Sequence, residues 1–305
     1  MAMIHSAYAQ RAQDAFGTVG TAMITPFSPN GAVDYDAVQV VANYLVQQGN
    51  DMLVVSGTTG ESPTTTDEEK GQLLKVVRSA VGEHVKIVAG VGTNVTAHSI
   101  ELAQQAQSAG ADGLLVVTPY YSKPSQDSIR AHVEMIADST ELPVMLYDIP
   151  GRSGVPMETE TLIRMGEHPR VLAVKDAKGD IAASMDVMTR SDLVYYSGED
   201  ALNLPLMSAG AIGLVSVVGH VAAKDLARMV DAVHNNDLMQ ARHVAENLVP
   251  IVDAVMNHMP GVVSVKAALE LAGIIQYRGT RMPLLPATEE QLEFLRSKLG
   301  EFINP

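Results

Sequence analysis

The chain has 305 residues, no cysteine and a formal net charge of −14 at pH 7, with 47% hydrophobic and 18% charged residues. The lack of cysteine excludes disulfides, thiolate nucleophiles and zinc–cysteine sites. Lys and Arg are scattered along an acidic chain, which disfavours nucleic-acid binding. No apolar run approaches the ~18 residues that span a bilayer, and residues 1–16 lack the apolar core of a signal peptide. We therefore expect a globular cytoplasmic protein.

Short β-rich runs alternate with helical segments along the whole chain. They recur every ~20–35 residues, the length of a βα unit, and most are apolar on both faces, as in a covered parallel sheet. The predicted strands are Val19–Thr25, Met52–Val55, Lys86–Ala89, Gly113–Val117, Val144–Tyr147, Val171–Lys175, Val194–Tyr196 and Ile212–Ser216. Eight such units predict a (β/α)8 barrel, and a doubly wound sheet is the alternative.

Helix signals fill the intervals between these runs. Asp34 precedes an apolar stripe of period near 3.6 that stops at Gly49, and Thr66 precedes three acidic residues that suit a helix N-terminus. Thr96 opens a predicted helix that runs to Ala109. After the eighth strand the predicted helices are Leu226–His234, Met239–Met256, Val262–Leu271 and Glu289–Leu299.

These elements predict three regions. Residues 1–16 form an N-terminal surface tail or short helix, and residues 17–222 form the barrel. Residues 223–305 supply the helix that closes the barrel and a C-terminal helical subdomain. No Pro/Gly/Ser-rich linker precedes that subdomain, so we expect it to pack on the barrel.

Lys175 is the most informative residue, because it ends the apolar run Val171–Val174. Burial disfavours the charged form of a lysine. The neutral amine is a nucleophile that forms a Schiff base with a ketone or aldehyde. The alternative is a lysine whose ammonium reaches the surface at the strand end.

Loops that follow the predicted strands carry other reactive groups, and active sites of such barrels lie there. Ser56–Glu61 after the second strand reads SGTTGE, whose amides could bind an anion such as a carboxylate, although an ordinary hydroxyl-rich turn is the alternative. The loop after the fourth strand carries Tyr120 and Tyr121 between two prolines, and packing at an interface is the alternative for Tyr120.

The fifth strand ends in Tyr147, and Arg152 follows on a Gly-rich loop, where it could bind a carboxylate or simply be solvated. Together these groups suit one reaction. The lysine attacks a 2-keto acid, the imine acidifies the neighbouring methyl protons, hydroxyl groups move the protons, and the enamine attacks an aldehyde. The nine histidines show no ligand spacing, and no dinucleotide motif follows the first strand. We therefore expect neither a metal nor a nucleotide cofactor.

Five motifs in chain order resemble the dihydrodipicolinate synthase family, within the superfamily of N-acetylneuraminate lyase and class I aldolases. The resemblance covers residues 17–300. The motifs are Gly57–Glu61 (GTTGE), Pro119–Pro124 (PYYSKP), Tyr147–Gly154 (YDIPGRSG), Val174–Ala177 (VKDA) and Ser197–Asp200 (SGED).

The resemblance implies a catalytic role for four residues. Lys175 would form the Schiff base with pyruvate, and Tyr147 would shuttle protons near the imine. Thr58 would link two tyrosines in a proton relay. Tyr121 would be the second tyrosine and would reach into the site of a neighbouring subunit. This implies a homo-oligomer, a tetramer built as a dimer of dimers, with no cofactor beyond the covalent pyruvate.

It also implies the substrate contacts. Thr59 would hold the pyruvate carboxylate, and Arg152 would receive the carboxylate of aspartate semialdehyde. Gly198 and Val215 would line the site through their backbones. Other Schiff-base aldolases of the superfamily generally lack the arginine, so Arg152 favours the synthase over a lyase of a longer keto acid. A barrel without enzymatic activity is disfavoured because the whole catalytic set is present.

The sequence departs from the family pattern in two places. Lysine inhibits many members through a glutamate and histidines, and here those positions carry His98, Asp67 and Lys70. A cation in place of the glutamate would repel the amino group of lysine, so we expect weak or absent inhibition. The stretch Gly219-His220-Val221-Ala222 also stands where many relatives carry Asn and Pro, without a functional explanation from the sequence.

Overall fold

The strands form a closed barrel in chain order, from the first to the eighth. The computed structural model describes residues 6–303, apart from the side chain of Glu301. The strands are β1 (Val19–Ala22), β2 (Met52–Val55), β3 (Lys86–Gly90), β4 (Gly113–Val117), β5 (Val144–Asp148), β6 (Val171–Asp176), β7 (Val194–Ser197) and β8 (Gly213–Ser216). The predicted (β/α)8 barrel is therefore confirmed.

Helices follow the strands in alternation. Within residues 6–303 they are α1 (Ala7–Phe16), α2 (Tyr35–Gln47), α3 (Asp67–Val81), α4 (Thr96–Ser108), α5 (Gln126–Asp138), α6 (Pro150–Ser153), α7 (Thr159–Met165), α8 (Ile181–Arg190), α9 (Asn203–Ser208), α10 (Gly219–His234), α11 (Leu238–Met256), α12 (Gly261–Leu271), α13 (Glu289–Lys298) and α14 (Gly300–Ile303). No single helix of this part of the chain is long and apolar enough to cross a membrane; α11 and α12 pass together on length and composition but meet at 104°.

The chain divides into two compact units. The first takes in the chain up to Thr18 together with Lys86–Val215, and the second takes in Val19–Val85 together with the chain from Ser216. The boundaries of the three regions predicted from the sequence differ from those of these two units. The three regions therefore stay a prediction.

In the first unit, α1 is packed rather than loose. The Phe16 ring meets the Tyr196 ring edge-on, with the centroids 6.3 Å apart. The Tyr196 hydroxyl donates a hydrogen bond of 2.8 Å to the carbonyl of Gly17. A side chain at Gly113 would lie 2.5 Å from the Phe16 ring, so the ring fills the space that this glycine leaves. The N-terminal segment is therefore a short helix from Ala7, the second of the two predicted forms; residues 1–5 lie outside the described part.

The predicted helix starts follow from capping chemistry. The Asp34 carboxylate accepts from the Ala37 amide and caps α2. Thr66 and Glu69 form a reciprocal capping box at the start of α3. These caps satisfy backbone donors that a helix N-terminus leaves unpaired.

The largest difference from the predicted elements is the start of α10, which begins at Gly219 rather than Leu226 and has a kink at Ala222 (φ −140°, ψ 30°). A side chain at Gly219 would lie 2.1 Å from the Thr21 hydroxyl oxygen, so only glycine fits. His220 is fully buried; its Nε2 accepts from the Ile24 amide at 3.2 Å and its Nδ1 lies 2.8 Å from the Val217 carbonyl. This unusual stretch thus ties the start of α10 to the segment after β1.

These bonds require the neutral tautomer that carries its proton on Nδ1. Burial lowers the pKa of His220 to about 4. The folded protein therefore binds this proton more weakly than the unfolded chain, so stability present above pH 6.5 is lost as the pH falls towards 4.

Replacing His220 by Asn should remove this pH dependence. One pKa unit corresponds to ~1.4 kcal/mol, so between pH 7 and 4 the wild type should lose up to about 3 kcal/mol more unfolding free energy than His220→Asn. Urea unfolding at a series of pH values measures the difference, and exposed His243→Asn is the control. Parallel profiles for the wild type and His220→Asn would contradict the assignment.

Candidate active site

Lys175 and Tyr147 form the centre of the site in the first unit. They are register partners near the ends of β6 and β5. Lys175 is only 5% exposed, so it is not a lysine that reaches the surface. Its Nζ lies 4.2 Å from the centroid of the Tyr147 ring. A buried amine beside a phenol can act as a nucleophile with a proton carrier at hand.

Gly198 makes room for the stem of Lys175. It follows β7, and its amide donates a 2.7 Å hydrogen bond to the Asp176 carbonyl. A side chain at this glycine would lie 2.8 Å from Cγ and 2.9 Å from Cε of Lys175. Val215, in β8, is buried. The structure therefore brings Lys175, Tyr147 and Gly198 together.

The ends of β5 and β6 are held by a buried charged cluster that the sequence analysis missed. Asp148 and Asp176, one residue beyond Tyr147 and Lys175, are themselves register partners. The Asp148 carboxylate accepts from the Met157 amide at 3.2 Å and pairs with the Lys178 ammonium at 3.4 Å. Asp176 accepts from the Lys178 amide at 2.7 Å and from the Ser184 hydroxyl. Burial raises the pKa of Asp148 to about 6.

Asp148 and Asp176 are the last residues of β5 and β6, so each strand is one residue longer than predicted. An aspartate after an apolar run resembles a loop residue, because buried aspartates are rare without partners. The signal that could have found them is their position: each directly follows a proposed catalytic residue. Their bonds fix the strand ends that carry the phenol and the amine.

Glu199 is a further charged group near the amine. Burial raises its pKa, the Asp200 charge adds to this effect, and the charges of Arg152 and Lys175 oppose it. In the sequence, Glu199 is recognisable only as part of the SGED motif. Its carboxylate therefore belongs to the electrostatic surroundings of Lys175.

Arg152 lies on the one-turn helix α6 rather than on the loop that the sequence predicts. Pro150 starts this turn, since its fixed φ suits the first helical position, and Gly154 ends it in the left-handed conformation. Arg152 is exposed, and within residues 6–303 its guanidinium makes no hydrogen bond; its backbone amide donates to the Ile149 carbonyl at 2.9 Å. Its guanidinium is free to bind an anion from solvent.

Tyr121 is 91% exposed and has a φ of +74°, which is uncommon for a residue with a side chain. It follows β4 in the predicted tyrosine loop. The structure does not bring its ring onto Lys175 in the single chain described. An aromatic ring held outward in this way suits a contact with another molecule.

Thr58 and Thr59 belong to the second unit, in the turn that follows β2. Thr59 is buried, and the Thr58 carbonyl accepts from the Glu61 amide at 3.1 Å. Among residues 6–303 the amides and hydroxyls of these two threonines donate no hydrogen bond. They are therefore available to an anion, and anion binding by this turn stays a prediction.

Comparison with known proteins identifies the family. A family model described as the dihydrodipicolinate synthetase family matches residues 15–301. The chain belongs to this family. It is therefore an enzyme of the lyase class, as its resemblance to the family implies.

Individual relatives agree over most of their length. The chain is 58% identical over 285 residues to the 4-hydroxy-tetrahydrodipicolinate synthase of Kineococcus radiotolerans, covering 93% of this chain and 92% of the relative. The crystal structure of dihydrodipicolinate synthase from Bacillus anthracis matches with a TM-score of 0.90 at 41% identity, over 93% and 98% of the two chains. That of the Cyanidioschyzon merolae enzyme with lysine bound matches with a TM-score of 0.89 at 38% identity, over 93% and 97%.

Groups that could hold a metal ion are not found in the described residues: no three His, Asp or Glu side chains cluster suitably.

A methyl group at Gly198 should destabilise the fold, because it would force the packed stem of Lys175 to move. Overpacking of this kind costs about 1–3 kcal/mol. Gly151→Ala is the matched control, since a methyl group there would meet nothing within 4 Å. Urea unfolding should show the loss for Gly198→Ala alone; equal stability of the two variants would contradict the packing described.

Proposed function

We propose that this enzyme condenses pyruvate with L-aspartate 4-semialdehyde in the diaminopimelate and lysine pathway. The observation that carries the proposal is the buried amine of Lys175 beside the Tyr147 ring, at 4.2 Å, in a chain of this family. The related synthase from Kineococcus radiotolerans bears the name of this activity.

The reaction begins with attack of the Lys175 amine on the ketone carbon of pyruvate. Water leaves and an iminium forms, with Tyr147 carrying protons to and from the oxygen. The iminium then draws electrons from the methyl group, which loses a proton and becomes the terminal carbon of an enamine.

The enamine carbon attacks the aldehyde carbon of the semialdehyde, and the aldehyde oxygen takes a proton. Counted with the imine carbon as the first atom, the amino nitrogen of the new chain is the sixth. It can therefore attack that carbon and close a ring, which breaks the bond to Lys175 and restores the free amine. No redox partner is needed, and the only covalent carrier is the lysine.

Substrate binding follows from the charges available. The free donors of Thr59 suit the pyruvate carboxylate, and the exposed guanidinium of Arg152 suits the carboxylate of the semialdehyde. The backbone atoms of Gly198 and Val215 line the substrate site. Thr58 and Tyr121 complete the proton relay, with Tyr121 supplied by a second copy.

That role for Tyr121 requires at least a dimer, and we propose a tetramer of two tight dimers in the cytoplasm. The outward, left-handed conformation of Tyr121 supports the crossing, since this ring has little contact with its own chain.

Arg152→Ala tests the choice of second substrate. Loss of charge-assisted hydrogen bonds worth about 1.5–3 kcal/mol should raise the KM for aspartate semialdehyde by about ten- to a hundredfold. The KM for pyruvate should change little, and Arg152→Lys should fall between the two because it keeps the charge without the bidentate geometry. Steady-state kinetics with both substrates measures this. Indifference to Arg152→Ala, with cleavage of a longer keto acid, would favour another aldolase of the superfamily.

Feedback by lysine should be weak or absent. His98 stands in place of an anionic partner for the lysine amino group, and the Lys70 ammonium is buried against the Thr65 carbonyl at 2.5 Å. Titrating lysine into the purified enzyme should give half-inhibition only above about 1 mM, an affinity of about 4 kcal/mol or less. His98→Glu should strengthen inhibition. Half-inhibition of the wild type well below this concentration would contradict the prediction.

A further inference from the structure

A fully buried ion pair joins the turn after β2 to helix α12 of the second unit. The Lys266 ammonium donates to the Glu61 carboxylate at 2.5 Å, and neither side chain is more than 1% exposed. The other carboxylate oxygen accepts from the Arg281 amide at 2.9 Å. Both oxygens of Glu61 are therefore held by residues more than 200 positions away in the sequence.

The Lys266 ammonium has further partners besides Glu61. Lys266 also donates to the Gly279 carbonyl at 2.8 Å. Two cations lie over the Phe27 ring: its centroid is 4.2 Å from the Lys266 ammonium and 4.4 Å from the Arg281 guanidinium carbon. Burial lowers the pKa of Lys266 to about 8, and Glu61 opposes this shift. The lysine therefore remains charged at neutral pH.

The turn that this pair holds is strained at both ends. Ser56 and Glu61 have φ values of +59° and +54°, in the left-handed region that disfavours residues with a side chain. The Thr25 hydroxyl donates to the Gly60 carbonyl at 2.7 Å. A side chain at Gly60 would lie only 3.1 Å from the Met23 carbonyl oxygen. Such a backbone persists only where its surroundings hold it.

Between these fixed ends lie the free donors of Thr58 and Thr59. We propose that Glu61 is a positioning residue for substrate binding: clamped by Lys266 and Arg281, it sets the turn so that these donors point at the pyruvate carboxylate. This inference rests on the proposed function, and it assigns the C-terminal helices a part in recognising the first substrate. Preorganised donors bind a carboxylate more tightly than donors that must first be ordered.

Glu61→Gln tests the proposal, because it keeps the shape and removes the charge. The neutral amide cannot accept from both Lys266 and Arg281 while its nitrogen remains a donor. The KM for pyruvate should rise at least about tenfold, with a smaller change in kcat and in the KM for the semialdehyde. Hydrogen exchange should become faster in residues 56–62.

Glu61→Gln leaves a buried charge unpaired and could lower folding yield. The double variant Glu61→Gln with Lys266→Met removes both charges together, and it should fold while showing the same rise in KM. Glu270→Gln is the control, since it breaks a half-buried pair with Arg278 in the same region, 2.6 Å apart, without touching the turn. It should leave the KM for pyruvate and exchange at 56–62 unchanged.

The outcomes separate the two proposals. Wild-type KM and wild-type exchange in the folded double variant would overturn the positioning role, and so would equal effects in Glu270→Gln. A wild-type enzyme that does not condense pyruvate would instead overturn the proposed function. In that case the exchange rates at 56–62 still decide whether Glu61 sets the turn.

Discussion

The burial of one amine governs the arrangement of the catalytic end of this barrel. A lysine ammonium removed from water loses hydration, and the surroundings must tolerate either the charge or the neutral amine. Here Lys175 lies over the Tyr147 ring as its register partner on the neighbouring strand. Gly198 leaves the volume that the lysine stem occupies. Directly behind, Asp148 and Asp176 fasten the two strand ends, so the amine and the phenol are held by backbone rather than by flexible loops. Sites built on regular elements are the more precise ones.

A second theme is local positive charge in an acidic protein. A net charge of −14 repels anionic substrates at long range. Two groups of residues can attract a carboxylate locally despite this net charge. One is the exposed guanidinium of Arg152, and the other is the set of free backbone and hydroxyl donors of Thr58 and Thr59. The neutral donors of Thr58 and Thr59 can bind a carboxylate without a charged side chain. They bind it tightly only if the turn after β2 is held in one conformation. The buried pair of Glu61 and Lys266 is well suited to hold it, since an ion pair without water has few alternative geometries.

The sequence predicted the barrel, with Lys175 and Tyr147 at the ends of their strands, because both depend on local patterns. Apolar runs mark the strands, and caps such as Thr66 mark the helix starts. The structural role of a charged residue could not be predicted where it depends on a partner elsewhere in the sequence. Asp148 reads as a loop residue until Lys178 and the Met157 amide are seen beside it. Glu61 and Lys266 lie 205 residues apart, and no periodicity or spacing rule links them.

Lys175 is the proposed nucleophile, and reductive trapping with pyruvate tests this role. The purified protein would be incubated with pyruvate and borohydride, and the modified residue located by peptide mass spectrometry. We expect one reduced pyruvyl group on Lys175, absent in a folded Lys175→Ala variant and retained when exposed Lys75 is replaced instead. No adduct on the folded wild-type protein, or an adduct on another lysine such as Lys178, would contradict it.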